Sequence, residues 1–438
     1  MKEDNSKMEK IVSLAKRRGF IYQGSEIYGG LAGTYDYGPL GVALKRNVEG
    51  LWWKMFVEER EDVYGLDAAI LMNSKVWEAS GHVGGFSDPL VECDKCKKRF
   101  REDHLEDKEN CPECKKGKLG EARSFNMMFK TEVGVSGDEV SYLRPETAQG
   151  IFVNFKNVVD SFHPKLPFGI GQIGKAFRNE IAPRDFIFRL RELQQMEVEY
   201  FVEEDNWEKG FEDWRQMIIG WTEAIGLPKE NVHEVEVEGE DRAHYSKRTI
   251  DFEFDFPFGQ KELYGLAYRT DYDLGKHSEH SNEKLVYVNS ETGEKITPHV
   301  IEPSLGVDRT ILAILTSAYT EDEMDGETRV YLKFKPSVAP VKVAVFPLLK
   351  NKPELVSKAR EIFDSIRKEI PQVMFDDNGN VGKRYRRQDE IGTPLCVTVD
   401  FETLEKEGSP VTVRDRDTGK QETMKAEELL EYLKTKLS

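Results

Sequence analysis

The segment FRNEIAPRDFIFRLRELQQMEVEYF, residues 177–201, sets four arginines among carboxylates and aromatics and closes on an alternating apolar and acidic run. An arginine keeps its charge at any working pH, and its planar fork of donors suits phosphate oxygens two at a time. If the segment is a strand–loop–strand hairpin turning near APRD, Arg178, Arg189 and Arg191 can all point at one polyphosphate. Taken alone, a solvated, salt-bridged hairpin face accounts for them equally well. A second stretch breaks the tie: EPSLGVDRTILAIL, residues 302–315, carries Glu302, Ser304, Gly306 and Arg309 into an apolar helix. A Gly-x-x-Arg at a strand-to-helix corner lets the backbone approach a flat ligand, with Arg309 stacked over it or set on a phosphate.

CDKC (93–96) and CPEC (111–114) form C-x2-C-x14-C-x2-C. Four thiolates at that spacing, from Cys93, Cys96, Cys111 and Cys114, make a tetrahedral structural zinc site, which keeps no open position for substrate. The fifth cysteine, Cys396, lies in the apolar run PLCVTV and reads as core. GIGQIG (169–174) matches a dinucleotide-binding fingerprint, but its glycines alternate with Ile170 and Ile173 and lead into KAFRNE, not into an amphipathic helix. No dinucleotide site is expected there, and the P-loop signature is absent from the sequence. KRYRR (383–387) is a basic cluster holding an aromatic, suited to nucleic-acid phosphates and base stacking, or else a solvated loop.

These residues must be positioned by a chain of 438 residues, long enough for two or three domains with cores of their own. A hydrophobic fraction of 39% with 11% aromatics is that of an ordinary globular protein. No apolar run reaches the roughly 18 residues that span a membrane. MKEDNSKMEK lacks the apolar stretch of a signal peptide, and paired cysteines fit a reducing compartment, so a cytoplasmic location is expected. The net charge of −17 argues against coating nucleic acid non-specifically. From Val341 onward 18 basic residues balance 18 acidic ones, so the C-terminal segment is the better candidate for meeting a polyanion.

Val42, Leu44, Val48, Leu51, Trp52, Met55 and Phe56 recur at three- and four-residue spacing and predict a helix over 41–59. VYGLDAAILM (63–72) reads as a buried strand, and strand-like material resumes at 168–201. A helix is predicted from about 206 to 225, with Trp207, Phe211, Trp214, Ile218 and Trp221 on one stripe. IDFEFDF (250–256) alternates as a half-buried strand does. Strands without a βαβ rhythm favour a largely antiparallel sheet. After FKPSVAP (334–340) strand and helix alternate, so a small α/β domain begins there.

The FRNE arginine and glutamate, followed about 130 residues later by G-x-D-R before an apolar helix, resemble motifs 2 and 3 of class II aminoacyl-tRNA synthetases. Residues 41–72 resemble motif 1, the dimer-forming element, although DAAILMNS lacks the proline usual at that strand's end. YGGLAGTYDYGPLG, ILMNSKVWEASGH, LRPETAQGIF, the opening segment, HYSKRTIDFEFDFPFG, ELYGLAYRTDYDL and EPSLGVDR are similar, in that order, to the dimeric glycyl-tRNA synthetase family. GKRYRRQDEIGTP (382–394) is similar to the anticodon-binding domain shared with the histidine, threonine and proline enzymes. Ser74 and Tyr268 depart from the proline and asparagine common in the family.

The resemblance implies an α+β fold: an antiparallel class II sheet flanked by helices, a zinc-binding insertion and a C-terminal α/β anticodon-binding domain. It places the catalytic domain at 1–338, with a zinc-type insertion at about 88–125 and a helical insertion at about 203–245, and the anticodon-binding domain at 339–438. The implied reaction is attack of the glycine carboxylate on the α-phosphate of ATP, then transfer of the glycyl group to the 3′ end of its tRNA. Arg178 would bridge carboxylate and α-phosphate, with Arg189 and Arg309 on the β- and γ-phosphates and Glu180 accepting from the adenine amino group. Asn179, Phe188, Arg191, Glu192, Leu263, Gly306 and Asp308 complete the implied ATP site, and Glu262 would help coordinate Mg2+. For glycine, Glu146, Glu197 and Glu302 suit the ammonium, Ser304 closes over the α-carbon, Arg269 braces the acids, and Arg101 reaches the substrate. Every competitor is larger than glycine, so no editing domain is expected. Lys383, Arg384, Arg386 and Arg387 would meet tRNA, and the enzyme would be a homodimer with no membrane partner. A non-catalytic nucleic-acid-binding relative is the alternative; it has no reason to keep Arg178, Glu180, Glu302 and Arg309 together.

Overall fold

The computed structural model describes residues 5–437 apart from 136, 138, 240, 241, 244 and 325. Seven strands form its largest sheet: Val63–Gly65 (β1), Phe168–Phe177 (β2), Glu192–Val202 (β3), Val232–Glu236 (β4), Arg248–Phe256 (β5), Gly259–Thr270 (β6) and His299–Gly306 (β7). Their order is β4-β5-β6-β7-β3-β2-β1, antiparallel throughout except where β1 joins β2. Along β5, Ile250, Phe252, Phe254 and Phe256 are buried while the residues between them are only part-covered, as the alternation predicts.

Helices Asn5–Arg18 (α1), Pro39–Trp53 (α2), Ala148–Phe162 (α3), Trp207–Ala224 (α4), Tyr272–Ser281 (α5) and Val307–Ala318 (α6) surround the sheet. Pro39 opens α2, where a missing N–H costs nothing. The predicted helix of 41–59 ends as a π-turn over Lys54–Glu58, which delivers Phe56 between Trp52 and Trp221. α6 is apolar on nearly every side and is buried between α2 and the sheet.

Two expectations need correcting. The strand read over 63–72 stops at Gly65. Beyond it Ala68 donates to the Gln172 side chain at 2.6 Å, and its carbonyl accepts from Arg144 at 2.8 Å, so side chains replace the ladder. The segment of about 203–245 is only half helical, because its later part supplies β4 to the edge of the main sheet. GIGQIG lies inside β2, as its alternation suggests. A Cβ on Gly174 would stand 2.2 Å from Arg144 Nη2, so close packing and not a phosphate calls for glycine there.

The C-terminal sheet comprises Val343–Pro347 (β8), Val373–Phe375 (β9), Leu395–Val399 (β10), Val411–Asp415 (β11) and Gln421–Met424 (β12), in the order β9-β8-β10-β11-β12. Helices Pro353–Glu369 (α7), Val381–Ile391 (α8) and Ala426–Leu437 (α9) accompany it, and Cys396 is buried within it. A hairpin, Tyr319–Met324 with Glu327–Leu332, joins the two parts. Its buried Arg329 pairs with Asp322 at 2.5 Å and Asp389 at 3.5 Å, and Asp389 also receives Arg414 at 2.8 Å. This cluster ties α8 to the hairpin. No helix among the described residues is long and apolar enough to cross a membrane.

Candidate active site

The β2–β3 hairpin turns as expected, with Phe177 opposite Glu192, and projects its loop over the sheet. Arg178 leaves β2 with Nε on the Pro145 carbonyl at 3.0 Å and its guanidinium 5.6 Å from the Phe86 ring centroid. Glu180 is buried, lies 3.7 Å from Arg189, and its Oε2 has no hydrogen-bond partner among the described residues. A buried acceptor left open in a cleft suits an incoming N–H. Burial holds the Arg189 guanidinium below its ordinary range, although Glu180 opposes this.

Arg309 sits in the first turn of α6, over the Phe188 ring at 4.4 Å and 3.2 Å from the Glu262 carboxylate. Guanidinium and ring together make a stacking surface for a flat ligand. Arg309 holds the Glu262 carboxyl below the usual range. Leu263 and Gly306 line the same cleft. Asp308 lines it too, but its oxygens accept from Tyr37 at 2.5 Å and from the Gln194 N–H at 2.9 Å, so it anchors the hairpin to the start of α6.

Three residues expected at the ATP site are not brought into the cleft. Arg191 donates to the carbonyls of Ala32 at 3.0 Å and Glu180 at 3.1 Å, which ties the glycine-rich loop to the hairpin. Glu192 pairs with Lys175 at 2.7 Å, and Asn179 lies with Arg191 and Glu192 along a separate groove beside Leu31. Arg101, expected at glycine, lines the arginine cleft instead, paired with Asp88 at 2.7 Å and Asp103 at 2.6 Å.

Next to the arginine cleft is an acidic pocket. Register sets two of its acids: Glu197 stands opposite Ser304 across β3 and β7, and Glu302 opposite Ala267 across β7 and β6. Ser304 Oγ donates to Glu197 at 2.5 Å, and Gln195 adds a bond at 3.1 Å. Arg269 is wholly buried, with two donors on Asp273 at 2.8 and 2.9 Å and a third on Glu302 at 2.8 Å. Burial pushes the Glu302 carboxyl up to about 8 against the pull of Arg269. Burial raises Glu197 as well; it also opposes ionisation of Glu146, but His82 at 3.4 Å, Arg269 and the Gln149 hydrogen bond together outweigh it and hold that carboxyl far below its ordinary range.

Sequence reasoning missed His82, Thr147, Gln149, Glu199, Asp273 and Tyr245. Gln149 joins Glu146 at 2.9 Å to Asp273 at 3.0 Å, and Tyr245 covers Arg269 at 3.9 Å. For Glu199 a signal was there: MEVEYF puts two acids at i and i+2 on one strand face.

The cysteine quartet assembles on a small three-stranded arm, Ser87–Glu92, Arg99–Arg101 and Arg123–Asn126. Cys93 and Cys114 sulfurs lie 3.7 Å apart and Cys96 and Cys111 3.6 Å apart, close to the roughly 3.8 Å edge of a tetrahedron with zinc–sulfur bonds of about 2.3 Å. Each pair closes on a left-handed residue, Lys97 and Lys115, whose N–H returns to the first cysteine's carbonyl at 3.1 Å. The donor set fits zinc.

On α8 the structure corrects the nucleic-acid reading. Arg384 is 1% exposed, and its guanidinium is used on the carbonyls of Pro347, Asp377, Asn378 and Gly379, which braces the preceding loop. Tyr385 packs on Phe346 and bonds Thr398 at 2.6 Å, so it offers no ring to a base. Arg386 pairs with Glu327 at 3.0 Å and Arg387 with Asp376 at 2.7 Å, both part-exposed, and Lys383 is exposed.

The family model described as the tRNA synthetase class II core domain (G, H, P, S and T) matches residues 129–318, and the anticodon binding domain model matches 342–436. A glycine–tRNA ligase of Caldanaerobacter subterraneus subsp. tengcongensis is 50% identical, covering 98% of both chains. One of Clostridium acetobutylicum is 51% identical, covering 99% of this chain and 100% of its own. The solved structure of Giardia lamblia prolyl-tRNA synthetase with prolyl-adenylate superposes with a TM-score of 0.72 at 16% identity, covering 100% of this chain and 79% of that one, a likeness of fold. On identity of this extent along the full chain, it belongs to the glycine–tRNA ligase family of class II aminoacyl-tRNA synthetases.

Proposed function

We propose that the cleft and the acidic pocket are the ATP and glycine halves of one activation site, and that Arg178 is the residue at which they meet. The observation that carries this reading is that Arg178, Gln195, Glu262 and Ser304 line both spaces. A glycine whose ammonium is held at Glu197 beside Ser304 has its carboxylate directed toward a phosphate under Arg178. Its oxygen attacks the α-phosphorus, the bond to the β-phosphate oxygen breaks, and pyrophosphate leaves with the charge. No protein nucleophile is needed, so catalysis consists of positioning and charge stabilisation. Arg178 meets the charge that grows on the α-phosphate, and Arg189 and Arg309 hold the leaving phosphates. Glu180 accepts from the adenine amino group while Phe188 and Arg309 supply the stacking surface. Glu262 is the carboxylate that would hold magnesium, which would neutralise part of the phosphate charge.

Glu146, Glu197 and Glu302 receive the ammonium, and the Ser304–Glu197 contact closes the space a β-carbon would need. The ribose hydroxyl of the tRNA 3′ end then attacks the glycyl carbonyl and AMP departs. Residues 1–338 would carry this chemistry, and 339–438 would hold the tRNA through Lys383, Arg386 and Arg387. The cysteine arm would hold one zinc ion as an architectural clasp. A homodimer through the glycine-rich approach is supported by Ile27 and Tyr28, which are 89% and 88% exposed.

ATP–pyrophosphate exchange with glycine, alanine and serine in turn tests the reading. Glycine should exceed the others by about 10- to 200-fold, the worth of one extra methylene in a closed pocket. Equal exchange with alanine would sink the pocket assignment.

A further inference from the structure

Glu199 is a buried acid that the activation chemistry leaves without a task. It lies on β3 two residues beyond Glu197, so both side chains leave the same face of the strand. The residue is 0% exposed, and neither carboxylate oxygen has a hydrogen-bond partner among the described residues. Oxygens of Glu197, Glu199 and Glu302 nevertheless lie within 4.8 Å of one another. The charged groups facing it are Glu197 on its own strand, Glu302 on β7, Arg269 on β6 and Asp273 on α5.

Only one of those groups is a cation, and its three hydrogen bonds go to Asp273 and Glu302, none to Glu199. An ionised carboxylate with neither counter-charge nor hydrogen bonds is far too costly in a protein interior, and such a group keeps its proton instead. Burial, with Glu302 adding to it, pushes the Glu199 carboxyl well above the ordinary range. A protonated carboxyl has one O–H to donate. Of the two acids within reach, Glu197 already accepts from Ser304, Gln195 and Thr147, whereas the bond recorded at Glu302 comes from Arg269 alone.

We propose that Glu199 is a neutral positioning acid of the glycine pocket: its O–H supports the Glu302 carboxylate from behind when Glu302 ionises against the incoming ammonium. The inference rests on the acidic pocket being the glycine site. Glu199 retains its proton throughout, and the proton lost on binding is that of Glu302, released to solvent. The pocket thus offers the ammonium Glu146, Glu197 and Glu302 while Glu199 adds no further charge.

Infrared difference spectroscopy between the wild type and Glu199→Gln at neutral pH tests the neutral state without reference to activity. The carbonyl stretch of a protonated carboxylic acid should be present in the wild type and missing from the variant; an ionised-carboxylate signature there would overturn the proposal. Exchange kinetics test the role. Glu199→Met, of similar size but without a donor, should raise KM for glycine about 10- to 100-fold, the worth of a hydrogen bond to a charged group, and leave KM for ATP unmoved. Glu199→Gln keeps a donor and should restore most of that loss. A glutamine variant as impaired as the methionine variant would show that the group acts as an anion, and an unaffected KM in the methionine variant would remove the role altogether. If the wild type failed to exchange with glycine at all, the glycine reading would fall while the infrared result still decided the state of Glu199.

Discussion

Arg178→Ala and Arg191→Ala test whether the guanidinium proposed to meet reacting charge separates from one that holds the fold. By charge and spacing alone the two are members of one basic cluster, both expected at the ATP site. In the structure Arg178 faces both halves of the site and bonds the Pro145 carbonyl at 3.0 Å, while Arg191 is committed to the carbonyls of Ala32 and Glu180. Losing one part-exposed hydrogen bond at Arg178 should cost about 1 kcal/mol of stability. A donor aimed at charge that develops in the transition state is worth about 2.7–4 kcal/mol, or roughly 10²- to 10³-fold in rate. Arg191→Ala gives up two bonds, about 2 kcal/mol together, and leaves the reacting groups in place. Glycine-dependent ATP–pyrophosphate exchange and thermal unfolding, measured on both variants, should therefore move in opposite order. Arg178→Ala should lose nearly all exchange with a small change in Tm, and Arg191→Ala should keep most exchange with the larger change in Tm. Near wild-type exchange in Arg178→Ala would refute the site. Equal loss in both variants with Tm unchanged would refute the separation.

Burial raises Glu302 to about 8, so the empty pocket holds it protonated at neutral pH, whereas the ammonium requires it ionised. The kcat/KM for glycine should rise with pH through about 8 and level off above; a flat profile across that range would contradict it. With the folded value above the unfolded one, this group's contribution to stability is full below the ordinary carboxylate range and falls as pH rises toward about 8. Protein purified without chelator should contain about one zinc per chain by elemental analysis. Chelation should loosen the arm that presents Arg101, and metal-free protein with an intact arm would show the cysteine reading to be wrong. Arg384→Ala should destabilise the C-terminal domain by about 2–4 kcal/mol in denaturant unfolding, because buried carbonyls lose their donor. Lys383→Ala should leave stability unchanged and reduce the salt dependence of tRNA binding by about one ion; the reverse pattern would return α8 to its surface reading.

Much of this molecule was legible before any coordinates. Periodicity marked the α4 stripe of Phe211, Trp214, Ile218 and Trp221, and alternation marked β5, because both patterns are local and each residue's face follows from its spacing. The CxxC pairs specified a clasp, because four thiolates at that spacing converge through two short turns. Strand extent was less legible: 63–72 is apolar enough for a strand, yet beyond Gly65 Gln172 and Arg144 take its backbone groups from elsewhere in the chain.

The direction of charged side chains was not legible at all. Arg178 and Arg191 are both arginines in one hairpin, and Arg384 and Lys383 are neighbours on one helix, yet Arg178 gives one donor to a carbonyl and lines the cleft while Arg191 is tied to two carbonyls, and Lys383 is exposed while Arg384 is tied to four. Sequence by itself determined the family, the sheet type and the inventory of chemically able residues. The tertiary structure decided which of them converge. Glu197 meets Ser304 because β3 and β7 pair in one register, and sliding that register by one residue would turn one side chain to the opposite face of the sheet. Such pairing is a contact between residues 107 positions apart, and no local spacing encodes it.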